Sequence, residues 1–179
     1  PDVTDALETR LAAPDPLDDG HGSVTERDLV TPFSDHAVEF VPTDLDGLGV
    51  AYDAMHGSGR GVTDALLKRG GGTVDRLRCS RDPAFGGTPP EPVPERAAEL
   101  VGRVTDGEAA LGFVNDGDAD RLGVVTPDRG FLDPNVYLAV LYDYLLEREA
   151  GAVVRTVSTS SLVDRIAEEH GQDVHETRS

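Results

Sequence analysis

The amino-acid sequence predicts a three-layer α/β/α fold with a mixed sheet, followed by an incomplete βαβ unit of a second domain. Short apolar runs typical of strands alternate with helical patterns from about residue 48 onward. Glycine-rich turns separate these segments, and a new strand–helix–strand pattern begins after Gly151. Strands that alternate with helices favour a layered α/β domain. The 179 residues suffice for one ordinary domain and part of a second.

The segment before this alternating pattern, residues 1–31, is rich in Asp, Pro and Gly. Its composition predicts a linker or the remnant of a preceding domain. A helix is predicted over residues 32–41, with Thr31 as its N-cap and Pro32 at its first helical position.

The alternating segment, residues 32–150, is predicted to hold the main sheet and its helices. Strands are predicted over residues 48–51, 73–79, 109–114 and 122–126. Helices are predicted over residues 62–69, 95–104 and 133–149, with a long Pro/Gly loop over residues 81–94. Residues 151–179 are predicted to start a second domain, with a strand over 152–157, a helix over 158–169 and another strand from residue 173. The pattern is expected to stop there, before that domain is complete.

The chain is strongly acidic, with a formal net charge of −18 from 34 Asp and Glu residues against 16 Lys and Arg residues. Asp outnumbers Glu 22 to 12, and Lys68 is the one lysine. Such a charge repels nucleic-acid phosphates and anionic membrane surfaces, so neither is expected as a partner. An evenly acidic, lysine-poor composition resembles that of halophilic, archaeal-like proteins, in which concentrated salt screens the self-repulsion.

The cellular location is predicted to be cytoplasmic. The single cysteine, Cys79, excludes a disulfide within the chain and is interpreted as a structural thiol, because no His lies near it in sequence. No apolar run reaches 18 residues, so no membrane-spanning helix is expected. The first residues contain no basic region followed by an apolar run, so no signal peptide is visible.

The clearest functional signal is an apolar strand that leads into three Asp residues at alternate positions, Asp116, Asp118 and Asp120. Alternate residues of an extended segment project to one side, so the three carboxylates can converge on one point. Three adjacent carboxylates need a compensating charge, which a hard cation such as Mg²⁺ supplies through oxygen ligands. Arg121 adds a fixed positive fork that suits phosphate. The sequence therefore predicts a magnesium site next to a phosphate-binding arginine.

Two other metal-loop classes share part of this pattern. An EF-hand loop needs Gly at its sixth position and Glu at its twelfth, where this chain has Arg121 and Pro127. A haloacid-dehalogenase-like phosphatase would use Asp116 as nucleophile and Asp118 as acid. That class expects Thr or Val at the position of Asp120 and a Lys downstream, whereas the one lysine lies upstream. The EF-hand is rejected, and the phosphatase is kept as an alternative.

The segment Asp116–Arg121 resembles the metal loop of the α-D-phosphohexomutase superfamily, the phosphoglucomutases and phosphomannomutases. Residues 53–59, 82–92 and 158–177 are also similar to segments of that family, in matching order and spacing. The likeness extends over about residues 35–177, which is most of the chain. The aspartate loop is a specific motif, and the other segments are individually weak but mutually consistent.

The resemblance implies a fragment of a four-domain enzyme, with residues 32–150 as its second domain and residues 151–179 as the start of its third. Such an enzyme transfers phosphate between the C1 and C6 oxygens of a hexose phosphate, of glucose or mannose, through a phosphoserine on its first domain. The three aspartates would hold Mg²⁺, and Arg121 would orient phosphate. The chain has no serine in a Ser-His-Asn-Pro-like context, so the fragment is expected to supply the metal site and to be inactive alone.

Two weaker features and one alternative complete the sequence-based predictions. The glycine-rich segment His56–Gly61 lacks the lysine of a P-loop and the full spacing of a dinucleotide fingerprint, so a tight strand-to-helix turn is the preferred interpretation. Asp53, at a strand end, is a candidate to support the metal ligands. The alternative to an enzyme fragment is a free-standing, non-catalytic module that binds metal or phosphate.

Overall fold

A five-stranded mixed sheet organises most of the chain in the computed structural model, which describes residues 2–11, 22–41 and 44–178. Its strands are β1 (Gly49–Asp53), β2 (Thr73–Leu77), β3 (Leu111–Asn115), β4 (Leu122–Thr126) and β5 (Gly130–Phe131). Their order is β2-β1-β3-β4-β5. β1 is parallel to both β2 and β3, whereas β3–β4 and β4–β5 are antiparallel pairs. The predicted α/β class with a mixed sheet is confirmed.

The helices, in chain order, are α1 (Asp2–Leu11), α2 (Val30–Phe40), α3 (Thr63–Arg69), α4 (Ala98–Thr105), α5 (Pro134–Leu146) and α6 (Leu162–Glu169). A one-turn 3₁₀ helix covers Phe85–Gly87. A second sheet pairs β6 (Val153–Thr156) with β7 (Val174–Thr177) in parallel, on either side of α6 in sequence. No helix of the described residues is long and apolar enough to cross a membrane.

Helices cover both faces of the five-stranded sheet. On one face α4 buries Leu100 and Val104 against Ala51, Val114 and Val125. A Cβ added to Gly112 would lie 2.9 Å from a Val104 methyl group, so the absence of a side chain there lets α4 approach β3 closely. Tyr52 is fully buried on the opposite face, because successive strand residues alternate. Its hydroxyl group and the first residue of α3 both contact the Asn115 side chain.

Three predicted helix starts are wrong: α4 begins at Ala98 and not at residue 95, and side-chain hydrogen bonds explain the starts of α2 and α6. α2 begins at Val30, and the Asp28 carboxylate accepts the backbone N–H groups of Val30 and Thr31 at 3.0 and 3.1 Å. Asp28 therefore satisfies the first-turn donors that Thr31 was expected to satisfy. α6 begins only at Leu162, because the hydroxyls of residues 156–160 bond to one another and to the Leu162 N–H instead of continuing the helix.

Three elements were not predicted: α1, β5 and the 3₁₀ helix within the predicted loop over residues 81–94. α1 lies inside residues 1–31, and its residues 3–11 are exposed; residues 12–21 of that predicted linker lie outside the described residues. β5 has two residues, too few to produce an alternating pattern. The interpretation of residues 1–31 as a linker or remnant stays a prediction.

Helix α5 is bound to the residues that follow it. The Tyr142 hydroxyl donates to the Gly151 carbonyl at 2.9 Å, and the Ser160 N–H donates to the Asn135 side chain at 3.2 Å. His170 Nε2 lies 2.7 Å from the Asp143 carboxylate, at hydrogen-bond distance. These contacts favour grouping α5 with β6, α6 and β7, while the predicted division at residue 150 stays a prediction.

Candidate metal centre

The three aspartates converge in the loop that leaves β3. Asp116 directly follows the last strand residue, and we call Asp116–Arg121 the aspartate loop. One carboxylate oxygen from each of Asp116, Asp118 and Asp120 lies within 4.8 Å of the other two. Asp116 is 1% exposed, whereas Asp118 and Asp120 are open to solvent. The structure thus places a buried carboxylate beneath two exposed ones.

Arg121 is bound to the buried aspartate. Its backbone N–H donates to Asp116 Oδ1 at 3.0 Å, and its side-chain Nε–H donates to Asp116 Oδ2 at 2.8 Å. The same Nε lies 3.9 Å from an Asp120 oxygen. The Arg121 side chain is still 58% exposed, so the guanidinium group reaches solvent on the side of the three carboxylates. One residue therefore fixes the direction of Asp116 and adds a positive charge to the cluster.

The ionisation of the cluster differs from one carboxylate to the next. Burial disfavours the charged form of Asp116, but the hydrogen bonds from the Arg121 backbone and side chain outweigh it and lower the pKa of Asp116 to about 2. The neighbouring charges of Asp118 and Asp116 raise the pKa of Asp120. Asp116 is therefore ionised at neutral pH, and the repulsion around Asp120 is the kind that a bound cation relieves.

The donor set fits a hard divalent cation. The group consists of carboxylate oxygens alone, which suit Mg²⁺, Ca²⁺ or Mn²⁺ rather than metals that prefer sulfur or imidazole. Each Asp116 oxygen accepts one hydrogen bond from Arg121, and a carboxylate oxygen has a second lone pair available to a metal. The exposed side chains of Asp118 and Asp120 leave one side of the group open to solvent.

The aspartate loop is held against the turn that follows β1. The Ser58 N–H donates to the Gly117 carbonyl at 2.9 Å. A Cβ on Gly57 would lie 2.6 Å from the Asp116 carbonyl oxygen and 2.7 Å from that of Gly117, so only glycine fits there. Ala119 has a φ of +64°, a left-handed conformation that costs a non-glycine residue roughly 1 kcal/mol. The surrounding contacts hold the loop in this conformation.

Sequence reasoning missed the side chains beneath the loop. The Asn115 amide donates to the Arg121 carbonyl at 2.9 Å and accepts from the Tyr52 hydroxyl at 3.0 Å and the Thr63 hydroxyl at 3.2 Å. Burial raises the pKa of Tyr52 to about 12, so its hydroxyl keeps its proton at neutral pH. The one signal in the sequence was Asn115 itself, a polar residue at the end of an apolar strand. Such a signal does not show which distant hydroxyl groups bond to it.

Family models match nearly all of the chain from residue 31 onward. Residues 31–130 match the model described as phosphoglucomutase/phosphomannomutase, alpha/beta/alpha domain II, and residues 133–179 match that of alpha/beta/alpha domain III. The chain belongs to the phosphoglucomutase/phosphomannomutase family. The predicted resemblance to the α-D-phosphohexomutase superfamily is thereby confirmed, and the phosphatase alternative is not favoured.

Relatives within this family are considerably longer than the chain. A phosphoglucomutase from Neisseria gonorrhoeae is 36% identical over 155 residues, which cover 86% of this chain and 34% of that protein. A protein named "Probable phosphoglucosamine mutase" from Methanopyrus kandleri is 34% identical over 139 residues, 77% of this chain and 31% of that protein. A solved phosphoglucomutase/phosphomannomutase family structure from Burkholderia thailandensis aligns with a TM-score of 0.82 and 26% identity, over all of this chain and 39% of that one. The chain thus spans about a third of the length of its curated relatives.

The two weaker features of the sequence, Asp53 and the segment His56–Gly61, both form hydrogen bonds with neighbouring residues. Asp53 is buried, accepts the Met55 N–H at 2.9 Å and forms an ion pair with Arg78, and its role in supporting the metal ligands stays a prediction. The segment His56–Gly61 is a tight turn, in which His56 has a φ of +61° and its Nδ1–H donates to the Ser80 carbonyl at 2.9 Å. This turn contacts the aspartate loop through Gly57 and Ser58.

Proposed function

We propose that this chain supplies the metal centre of a phosphohexomutase, which transfers phosphate between the C1 and C6 oxygens of a hexose phosphate. The convergence of three carboxylates beside Arg121, in a chain of this family, is the observation that carries the proposal. The metal proposed is Mg²⁺, because the ligands are hard oxygens and the reaction handles phosphate.

The chain's own residues would act in distinct ways. Asp116, Asp118 and Asp120 would hold Mg²⁺, which neutralises charge on the phosphoryl group during transfer. Arg121 keeps Asp116 ionised and directed through its two hydrogen bonds. Its exposed guanidinium group would orient a phosphate group that approaches from solvent. The phosphoserine that donates phosphate would come from another part of the full-length protein, so the chain alone would be inactive.

The substrate proposed is a hexose phosphate, of glucose or mannose. Matched relatives named phosphoglucomutase and phosphoglucosamine mutase support a phosphorylated six-carbon sugar, whereas another matched relative is named phosphopentomutase. The net charge of −18 opposes nucleic acid and anionic membrane as partners. A cytoplasmic, salt-rich setting is the environment that we propose for so acidic a chain.

The test uses the full-length protein that contains this chain, with glucose 1-phosphate and Mg²⁺, and follows the appearance of glucose 6-phosphate. Asp118→Asn removes one anionic ligand, and we expect a loss of at least about 100-fold in kcat/KM. Asp128→Asn is the matched control, since Asp128 is an exposed acid with no place in the aspartate cluster. Its activity should equal that of the wild type.

Two outcomes would contradict the proposal. Full activity in the Asp118→Asn protein would exclude this residue as a ligand that the reaction needs. A full-length protein that binds Mn²⁺ at the cluster but transfers no phosphate would favour the non-catalytic metal- or phosphate-binding module instead.

A further inference from the structure

The Asn115 side chain lies directly beneath the aspartate loop and joins its far end to two other elements. It is nearly buried, at 7% exposure. Its Nδ2 donates to the carbonyl of Arg121, the last residue of the loop, at 2.9 Å. Its Oδ1 accepts from Tyr52 on β1 and from Thr63 at the start of α3. One amide group therefore closes the loop and fastens it to the sheet and to a helix.

The direction of this amide is determined by its partners. A carbonyl oxygen can only accept a hydrogen bond, so the NH₂ group must face Arg121. With the NH₂ group facing Arg121, the amide oxygen faces the hydroxyl groups of Tyr52 and Thr63 and accepts a hydrogen bond from each. The reverse orientation would place oxygen against the Arg121 carbonyl and lose the bond that closes the loop. The Arg121 carbonyl thus decides the orientation of the amide, and the hydrogen bonds from the two hydroxyls stabilise it.

The contact continues from Arg121 to the buried carboxylate. Asn115 holds the carbonyl of Arg121, while the N–H and Nε–H of that arginine hold the two oxygens of Asp116. We propose that Asn115 is a positioning residue of the metal centre, which sets the closure of the aspartate loop and, through Arg121, the direction of the Asp116 carboxylate. This proposal rests on the proposed metal function, but it also states how the metal-free loop is held.

The variant Asn115→Asp separates this role from simple electrostatics. It preserves the size of the side chain and an oxygen facing Tyr52 and Thr63, but replaces the donor that faces the Arg121 carbonyl with an acceptor. The added negative charge near the loop would by itself tighten cation binding. Loss of closure would instead weaken it, by roughly 10-fold or more, as for groups that orient metal ligands elsewhere. Weaker cation binding by N115D therefore indicates loss of loop closure, whereas tighter binding indicates the added charge alone.

Two measurements on the 179-residue chain test the role. Electron paramagnetic resonance of free Mn²⁺ during a titration gives the affinity, and we expect N115D to bind at least about 10-fold more weakly. Hydrogen exchange of the metal-free chain reports on the Arg121 N–H, which donates to Asp116. We expect its exchange rate, relative to the β1 amides, to rise about 10-fold in N115D. The double variant Tyr52→Phe/Thr63→Val keeps Asn115 but removes the two hydroxyls that donate to it. It should weaken Mn²⁺ binding and accelerate Arg121 N–H exchange, each by a smaller factor than N115D does.

The control is Val104→Ala, which creates a cavity on the α4 face and touches no loop residue. Its Mn²⁺ affinity and its normalised Arg121 exchange should match the wild type. Wild-type Arg121 exchange in both N115D and the double variant would overturn the positioning role, and tighter Mn²⁺ binding by N115D would also overturn it. A wild-type chain that binds no Mn²⁺, while N115D still accelerates Arg121 exchange, would support the positioning role and contradict the proposed metal function alone.

Discussion

The five-stranded sheet with α3 and α4, and the unit formed by α5, β6, α6 and β7, bury apolar side chains to very different extents. In the first region, Leu100, Val104, Val114 and Val125 are completely buried. In the second, the exposed fractions of Leu138, Val140, Tyr144 and Val154 range from 41% to 67%. Its buried apolar residues are Ala139, Val163 and Ala167, as far as the described residues show.

Ionic contacts occur in both regions, and in the second region they accompany a smaller set of buried apolar side chains. Arg155 on β6 pairs with Asp164 on α6 through two bonds of 2.6 and 2.7 Å, and with Glu176 on β7 at 2.6 Å. One guanidinium group therefore joins all three elements of the βαβ unit. A hydrogen bond between the His170 ring and the Asp143 carboxylate joins the ends of α6 and α5.

This difference indicates where a functional loop can be held firmly. The aspartate loop leaves β3, which lies at the centre of the five-stranded sheet and is covered on both faces. Its position is therefore fixed by a packed core and by buried hydrogen bonds. The second region buries fewer apolar side chains, and the contribution of its charge pairs varies with pH and salt.

The largest expected effect is on the packed core. Leu100→Ala leaves a cavity between α4 and the sheet, and we expect a loss of about 2–5 kcal/mol in the free energy of unfolding. Leu145→Ala removes the same atoms from a half-exposed position on α5, and we expect a loss below about 1 kcal/mol. Urea unfolding followed by circular dichroism measures both. Equal losses would contradict the contrast between the two regions.

An intermediate effect is expected for the pH dependence of the second region. Hydrogen bonds from Arg155 lower the pKa of Asp164 below its ordinary value of 3.8. The folded state therefore binds fewer protons, so this stabilisation is present above the unfolded pKa and is lost as pH falls through the folded one. Arg155→Met should make the melting temperature fall less steeply between about pH 5 and pH 3.

The matched control for this prediction is Arg129→Met, because Arg129 and Asp128 form a fully solvated pair. Its melting temperatures should show the wild-type pH dependence. An unchanged slope in the Arg155→Met chain would mean that the three-way ion pair does not stabilise the βαβ unit.

The smallest expected effect is the response to salt. Self-repulsion from a net charge of −18 destabilises the compact state, and added ions screen it. We expect the melting temperature to rise by a few degrees between about 0.1 M and 2 M KCl. A melting temperature that is independent of KCl would count against the halophilic interpretation.

The sequence by itself determined the local elements and the chemistry of the site. β4 lies over the predicted residues, and most other strands and helices lie within a few residues of their predicted positions. This follows because hydrophobic periodicity reflects which face of an element is buried. The spacing of Asp116, Asp118 and Asp120 likewise predicted that the three carboxylates converge. The assumed extended geometry was wrong, because the loop bends and Ala119 adopts a left-handed conformation.

The tertiary structure alone decided which distant residues meet. Tyr52 and Thr63 are separated from Asn115 by 63 and 52 positions in the chain, and their hydroxyls converge on it only because β1 and α3 lie beside β3. The partners of α5 were equally undetermined, since an apolar helix pattern shows that a face is buried but not what buries it. Periodicity is a property of neighbouring residues, whereas these contacts depend on strand order and helix placement, which a local pattern does not encode.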